Sequence, residues 1–139
     1  MGTRIVTAVA ALVSAFVHLR LWLPPDRYQD IDVIGPAFLF NAVAGFVIAV
    51  LLLIWRHWVP GFLAAGFGAS TLGAFILSTT VGLFGVKEQW VGVEVWAAAV
   101  AELVCIVGGL LVMRAAWPSR RADAGVGTST GEQTTSRTR

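Results

Sequence analysis

Glu94, Glu102 and His18 stand inside stretches of chain that are otherwise almost wholly apolar, together with Asn41 and Ser78. An ionisable side chain facing lipid at mid-depth costs about 2.5–3.5 kcal/mol even on the lenient insertion scale, so such residues are functional by default. Two readings of Glu102 follow. In one it is a proton-coupled or ligand-binding carboxylate. In the other it is a protonated, hydrogen-bonded glutamate that joins the fourth helix to the first or second. His18 beside Glu94 or Glu102 makes a proton-relay pair or half a metal site; the alternative is a neutral histidine satisfied by Asn41 or a carboxylate. Zinc needs three or four ligands, and bis-histidine haem needs a second histidine at matched depth, whereas His57 belongs to the opposite interface. The expectation is therefore no metal and no cofactor, with the single cysteine, Cys105, in a packing role.

Residues four apart share a helix face, and small residues at that spacing let helices approach closely in lipid. The first apolar run carries Ala10, Ser14 and His18 at this spacing, and the second Ala37, Asn41, Gly45 and Ala49. The third carries Gly66, Ser70, Ala74 and Ser78, and the fourth Glu94, Ala98 and Glu102 beside Ala97, Ala101, Cys105 and Gly109. The polar residues thus share stripes with the small ones, which predicts that His18, Asn41, Ser78, Glu94 and Glu102 all point into a bundle.

The elements that must position them are long. The chain has 139 residues, 57% hydrophobic and 13% charged, with a mean hydropathy of +0.77. A soluble domain is normally about 45–50% apolar and about 25% charged. Four apolar runs, about Arg4–Leu23, Val33–Ile54, Pro60–Phe84 and Val91–Met113, match the roughly 20 residues a spanning helix needs. Only helices and closed barrels satisfy every backbone group in lipid, and alternating barrel segments are absent from the sequence. The expected fold is all-α, a four-helix transmembrane bundle, antiparallel and up-down, over residues 1–117. From Pro118 the composition turns to Ser, Thr, Gly, Arg and Ala, which predicts a disordered cytoplasmic tail. The apolar character of the first run continues past the passable cleavage site Val13-Ser14-Ala15, so it reads as an uncleaved anchor.

Orientation follows the Lys/Arg bias of the loops. With the N-terminus inside, Arg4, Arg56, Arg114, Arg120 and Arg121 are cytoplasmic, and Arg20, Arg27 and Lys87 lie outside with Asp26, Asp30, Asp32 and Glu88. Trp22, Tyr28 and Trp90 mark the outer interface, and Trp55, Trp58 and Trp117 the inner one. At a rise of about 1.5 Å per residue, Glu102 lies near the midplane. His18 and Asn41 sit roughly 5–6 Å toward the outside, Ser78 roughly 9 Å and Glu94 roughly 12 Å. The inner half holds little polar beyond Thr7, Thr71 and Cys105. This asymmetry points to an outward-opening polar cavity or a buried hydrogen-bond network above a dry plug, and not to a continuous ion path.

The segment His18-Leu19-Arg20-Leu21-Trp22, then Tyr28 and Ile31, then Ile34-Gly35-Pro36-Ala37-Phe38-Leu39-Phe40-Asn41 resembles a pattern in small four-helix membrane proteins common in actinobacteria. The resemblance covers about Ala8–Ala115, with Gly82-Leu83-Phe84-Gly85 and Glu102 fitting it. It implies the four-helix architecture and ties His18, Trp22, Tyr28 and Asn41 into one element; that family carries no assigned activity. Asp30 and Asp32 make this first loop more acidic than the pattern.

No nucleophile motif, P-loop, GxGxxG or CxxC is present, and the net charge of +2 is spread over helix ends and tail instead of one face. The sequence thus argues against an enzyme and against a nucleic-acid partner. The leading expectation is a small multi-pass plasma-membrane protein that serves as a non-enzymatic accessory or scaffold subunit. Its partners would be the bilayer and a membrane protein or a second copy of itself. The alternative is a small-ligand or proton-coupled transporter or binder, with Glu102 titrating, His18 as its relay and Asn41 as an orienting amide. A quinone site using His18 and the aromatic outer rim is a third class.

Overall fold

The computed structural model describes residues 1–23, 30–85 and 87–117. Among them the chain forms four helices and no strand: α1 (Gly2–Trp22), α2 (Ile34–Ile54), α3 (Val59–Thr80) and α4 (Val93–Ala116). Each is long and apolar enough to cross a membrane, at about 1.5 Å of rise per residue against about 30 Å of hydrocarbon. The first-loop residues Pro24, Pro25, Asp26, Arg27 and Tyr28, and the tail from Pro118, lie outside the described residues.

The distribution of side chains is the inverse of a soluble bundle. The interior is built largely from Ala8, Ala11, Ala49, Ala64, Ala101 and Cys105 with a few larger residues such as Leu52 and Phe67. Phe16, Phe40, Phe46, Phe62, Val100 and Val107 face outward. Lipid tails are as apolar as leucine, so large side chains gain nothing by turning inward. Helices associate through close packing of small residues instead.

α1 packs against α2 and α4, and α3 against α4, while α2 and α3 share a smaller contact. The starts and ends of neighbouring helices meet. Thr7 of α1 lies against Gly108 of α4, and Gly61 of α3 against the Gly109 carbonyl. A β-carbon built on Gly61 would stand 2.6 Å from that carbonyl oxygen and 2.7 Å from the Met113 nitrogen. Higher up, Gly68 presses on the backbone carbonyl of Glu102.

Arg4 joins α1 to the end of α2. Its guanidinium donates to the carbonyls of Leu52 at 3.0 Å, Trp55 at 2.7 Å and His57 at 2.7 Å. The last carbonyls of a helix have no partner within it and carry the negative end of its dipole. A forked cation therefore satisfies groups that the bilayer interface would otherwise leave to water. Around this end Trp55 stacks on His57 at 5.3 Å, and Trp58 meets Trp117 at 5.4 Å.

Expected boundaries move on three helices. α1 begins at Gly2, α3 stops at Thr80 instead of reaching Phe84, and α4 runs from Val93 to Ala116. After Thr80 the backbone turns left-handed at Gly82 (φ 84°), Phe84 (φ 49°) and Gly85 (φ 81°). The Gly82 N–H donates back to the Leu77 carbonyl, closing the helix. Gly92, at φ 101°, sets the start of α4.

The expected face of α3 also shifts. Gly66 and Ser70 lie on its exposed side, and the buried stripe is Gly61, Ala64, Gly68, Thr71 and Ser78. Replacing Gly68 by Val will force α3 off α4 and destabilise the bundle by about 1–3 kcal/mol. Gly66→Ala, with open space around it, will stay within about 0.5 kcal/mol. Arg4→Met will cost about 1–2 kcal/mol. Reversible unfolding by SDS titration in mixed micelles measures all three.

Candidate functional site

All five polar residues singled out from the sequence, His18, Asn41, Ser78, Glu94 and Glu102, line one cavity of about 290 Å³. It lies at the end of the bundle where α1 and α3 finish and α2 and α4 begin. They do not share one depth or one degree of burial. Glu102 is 3% exposed and His18 9%; Ser78 is buried, Asn41 half-buried and Glu94 exposed. Glu94 thus lines the cavity from its exposed mouth. It stands in the first turn of α4, where the positive end of the helix dipole favours a carboxylate and the bundle has not yet closed around it.

The buried centre is a short chain of hydrogen bonds between α1 and α4. The Ser14 hydroxyl, fully buried, lies 3.4 Å from Oε1 of Glu102, to which it donates. His18 Nδ1 lies 2.8 Å from the Ser14 carbonyl oxygen. A carbonyl only accepts, so Nδ1 carries the proton and donates. This partner lies on the histidine's own helix, one turn back, and is neither Asn41 nor a carboxylate. The i−4 carbonyl is within reach of any helical side chain long enough to fold back on it. The bond leaves Nε2 as the ring nitrogen available to the cavity, and the ring itself lies 5.3 Å from Phe38.

Two further polar residues belong to the site. Thr71 lines the cavity beside the Glu102 carboxyl, although its depth had grouped it with the dry inner half. Its hydroxyl donates to the Phe67 carbonyl at 2.8 Å, one turn back on α3. Glu88 lines the cavity from the α3–α4 connection, and its backbone N–H donates to the Ser78 hydroxyl at 3.2 Å. Ten residues separate Glu88 from Ser78, and the left-handed turns at Gly82, Phe84 and Gly85 fold the connection back over the helix end. Helical spacing carries no signal for such a residue. Phe75, Trp90 and Trp96 form a rim of rings at the same end, with centroids 4.6 Å and 5.1 Å apart.

The cavity is closed beneath Glu102. The contact of Gly68 with the Glu102 carbonyl, then the buried layer of Ala8, Ala11, Leu52, Ala64 and Cys105, fills the other half of the bundle. Within it Thr7, fully buried, turns its hydroxyl back to the Thr3 carbonyl. Among the described residues, no three His, Cys, Asp or Glu side chains are grouped to hold a metal ion. His18, Glu94 and Glu102 share the cavity without forming a ligand set, because Glu94 and Glu102 are two helical turns apart on α4.

Ser14→Ala removes the hydroxyl donor to a buried carboxyl and is expected to destabilise the fold by about 1–2 kcal/mol. Ser70→Ala on the exposed face of α3 is expected to change it by less than about 0.5 kcal/mol, both read by the same SDS unfolding titration.

No family model matches the chain, and no similar curated protein or solved structure is found.

Proposed function

We propose that this is a non-enzymatic, multi-pass plasma-membrane protein that binds a small ligand in a cavity open to the outside, as the receptor or transport site for that ligand. The observation that carries this reading is the convergence of polar side chains from all four helices on one cavity, with a solid apolar floor below Glu102. Ligand sites are concave and mostly apolar, with a few placed polar groups, and the lining here has that character. The floor argues against a channel. Orientation is proposed from the Lys/Arg bias, which places both termini of an antiparallel, up-down bundle in the cytoplasm and the cavity at the outer face.

A second reading, an accessory subunit, is favoured by a different observation. An apolar groove between α1 and α4, lined by Val9, Ala10, Val13, Trp96, Ala97 and Val100, is shaped to take a partner helix or an acyl chain.

Thiol labelling tests the first reading. In a Cys105→Ala background, Asn41→Cys is expected to react with a membrane-impermeant thiol reagent added to the outside of intact cells. Ala64→Cys, in the apolar floor, is expected to stay unreactive from either side. Labelling of Asn41→Cys only from the cytoplasmic side, or not at all, overturns the outward-open site.

A further inference from the structure

The end of the bundle away from the cavity is where α1 and α3 begin and α2 and α4 finish. Among the described residues, its fixed charges are Arg4, Arg56 and Arg114, all positive. The described carboxylates, Asp30, Asp32, Glu88, Glu94 and Glu102, all stand in the half that holds the cavity. Arg4 gives its N–H donors to the backbone carbonyls of Leu52, Trp55 and His57. Carbonyls satisfy the hydrogen bonds but carry no net charge to offset the guanidinium. Arg56 lies between two of those anchored carbonyls, so the backbone is held on either side of it. Its side chain is exposed. It meets the Met1 thioether, Nη2 to Sδ at 3.7 Å, a weak and uncharged acceptor. That contact leaves most of the N–H fork to the surroundings. His57, next in the chain, is exposed and in ring contact with two indoles, Trp55 at 5.3 Å and Trp58 at 5.5 Å. The Val59 N–H donates to its Nδ1 at 3.3 Å, so Nδ1 carries no proton and the ring's N–H is at Nε2. Two adjacent residues thus present N–H donors on a segment whose shape Arg4 and the indoles fix.

We propose that Arg56 and His57 hold the phosphate of an anionic phospholipid from the adjoining leaflet, whose acyl chains run along the exposed apolar residues beside them. The site is separate from the cavity and holds for either orientation of the bundle. Three features fit this partner. First, the charge at this end is of one sign, and a guanidinium fork matches phosphate oxygens in pairs. Second, the level is that of lipid headgroups. Trp55, Trp58 and Trp117 gather here, with Trp58 5.4 Å from Trp117, and tryptophan settles at the membrane–water interface. Third, apolar surface adjoins the donors. Ile54, two residues before Arg56, is 71% exposed. Phe62, whose ring lies 6.2 Å from Trp58, is 56% exposed. A soluble phosphate would use the first feature and neither of the others. A zwitterionic lipid would bring its own ammonium among cations that have no carboxylate near them. The anionic lipid uses all three, and each basic residue close to an anionic surface strengthens the attachment.

The test uses the full-length protein in micelles that contain equal amounts of phosphatidylglycerol and phosphatidylcholine, with retained lipid counted by native mass spectrometry. Phosphatidylglycerol is expected to be retained about tenfold over phosphatidylcholine. Arg56→Gln is expected to lower that preference about fivefold. His57→Phe keeps an aromatic ring against the indoles, removes Nε2–H and is expected to lower it about threefold, the loss of one hydrogen bond. Lys87→Gln removes the same charge at the opposite end of the bundle and is expected to leave the preference unchanged. All three positions are exposed, and the thermal midpoint of each variant in lipid-free micelles is expected to match that of the parent. Equal retention of the two lipids by the parent protein overturns the proposal. So does a loss in Lys87→Gln as large as that in Arg56→Gln, which would reduce the effect to net charge. Release of the bound phosphatidylglycerol by inorganic phosphate at equal concentration makes the site one for a soluble anion and overturns the lipid.

Discussion

The backbone of α4 runs against that of α3 so closely that a β-carbon has no room at Gly61, Gly68 or Gly109, and at Gly108 the Thr7 side chain of α1 takes the space. In water such helices would be driven together by burying large apolar side chains. In lipid that force is absent, because hydrocarbon solvates leucine and phenylalanine as well as a protein interior does. Association has to come from dispersion over matched surfaces and from hydrogen bonds, and both fall off steeply with distance. The glycine contacts make one half of the bundle dense enough to be dry. They also fix α4 in height and rotation, and so place Glu102 at the boundary between the dense half and the open one.

The same class of small residue has opposite effects at the two ends. Near the Arg4 end, glycine and alanine meet glycine and alanine, and the backbones touch. At the other end, Ala37, Ala74, Ala98 and Ala99 line the cavity together with the larger Phe38, Phe75 and His18. Space left by short side chains becomes a pocket. Polar groups tolerate that position because each buried one has a partner close along its own helix or on a neighbour: Ser14 on Glu102, His18 on Ser14, Thr71 on Phe67. Folding back onto the i−4 carbonyl costs no interhelical geometry.

Arg4 shows how a residue can serve two ends at once. In the sequence it is one positive charge in a topology count. In the fold its guanidinium closes the carbonyl end of α2 and ties the start of the chain to the connection between α2 and α3. A cation at a helix C-terminus is favoured electrostatically, and its position at the interface keeps the charge near water.

Four helices with spanning length were legible in the sequence because length and apolarity are local properties, and the bilayer excludes the other ways of satisfying a backbone. The stripe on α1 and the inner parts of those on α2 and α4 were legible for a related reason: there the small and polar residues share a face, and Ala10, Ser14, His18, Gly45, Ala49 and Glu102 are buried, whereas Ala37 and Glu94, in the first turns of α2 and α4, are exposed. On α3 small residues occur on two faces, so spacing by four selected Gly66 and Ser70 while the fold buries Gly61, Ala64 and Gly68. Only contact with α4 chooses between them, since the choice depends on which glycine meets a backbone carbonyl. Glu88 and Thr71 joined the site for the same kind of reason. One arrives through a left-handed turn that folds a connection over a helix end, the other through the rotation of α3. Periodicity states what each helix can hide. The rotations and heights that bring five polar side chains around one cavity are properties of the packed set, because each helix's angle is set by the backbones it touches.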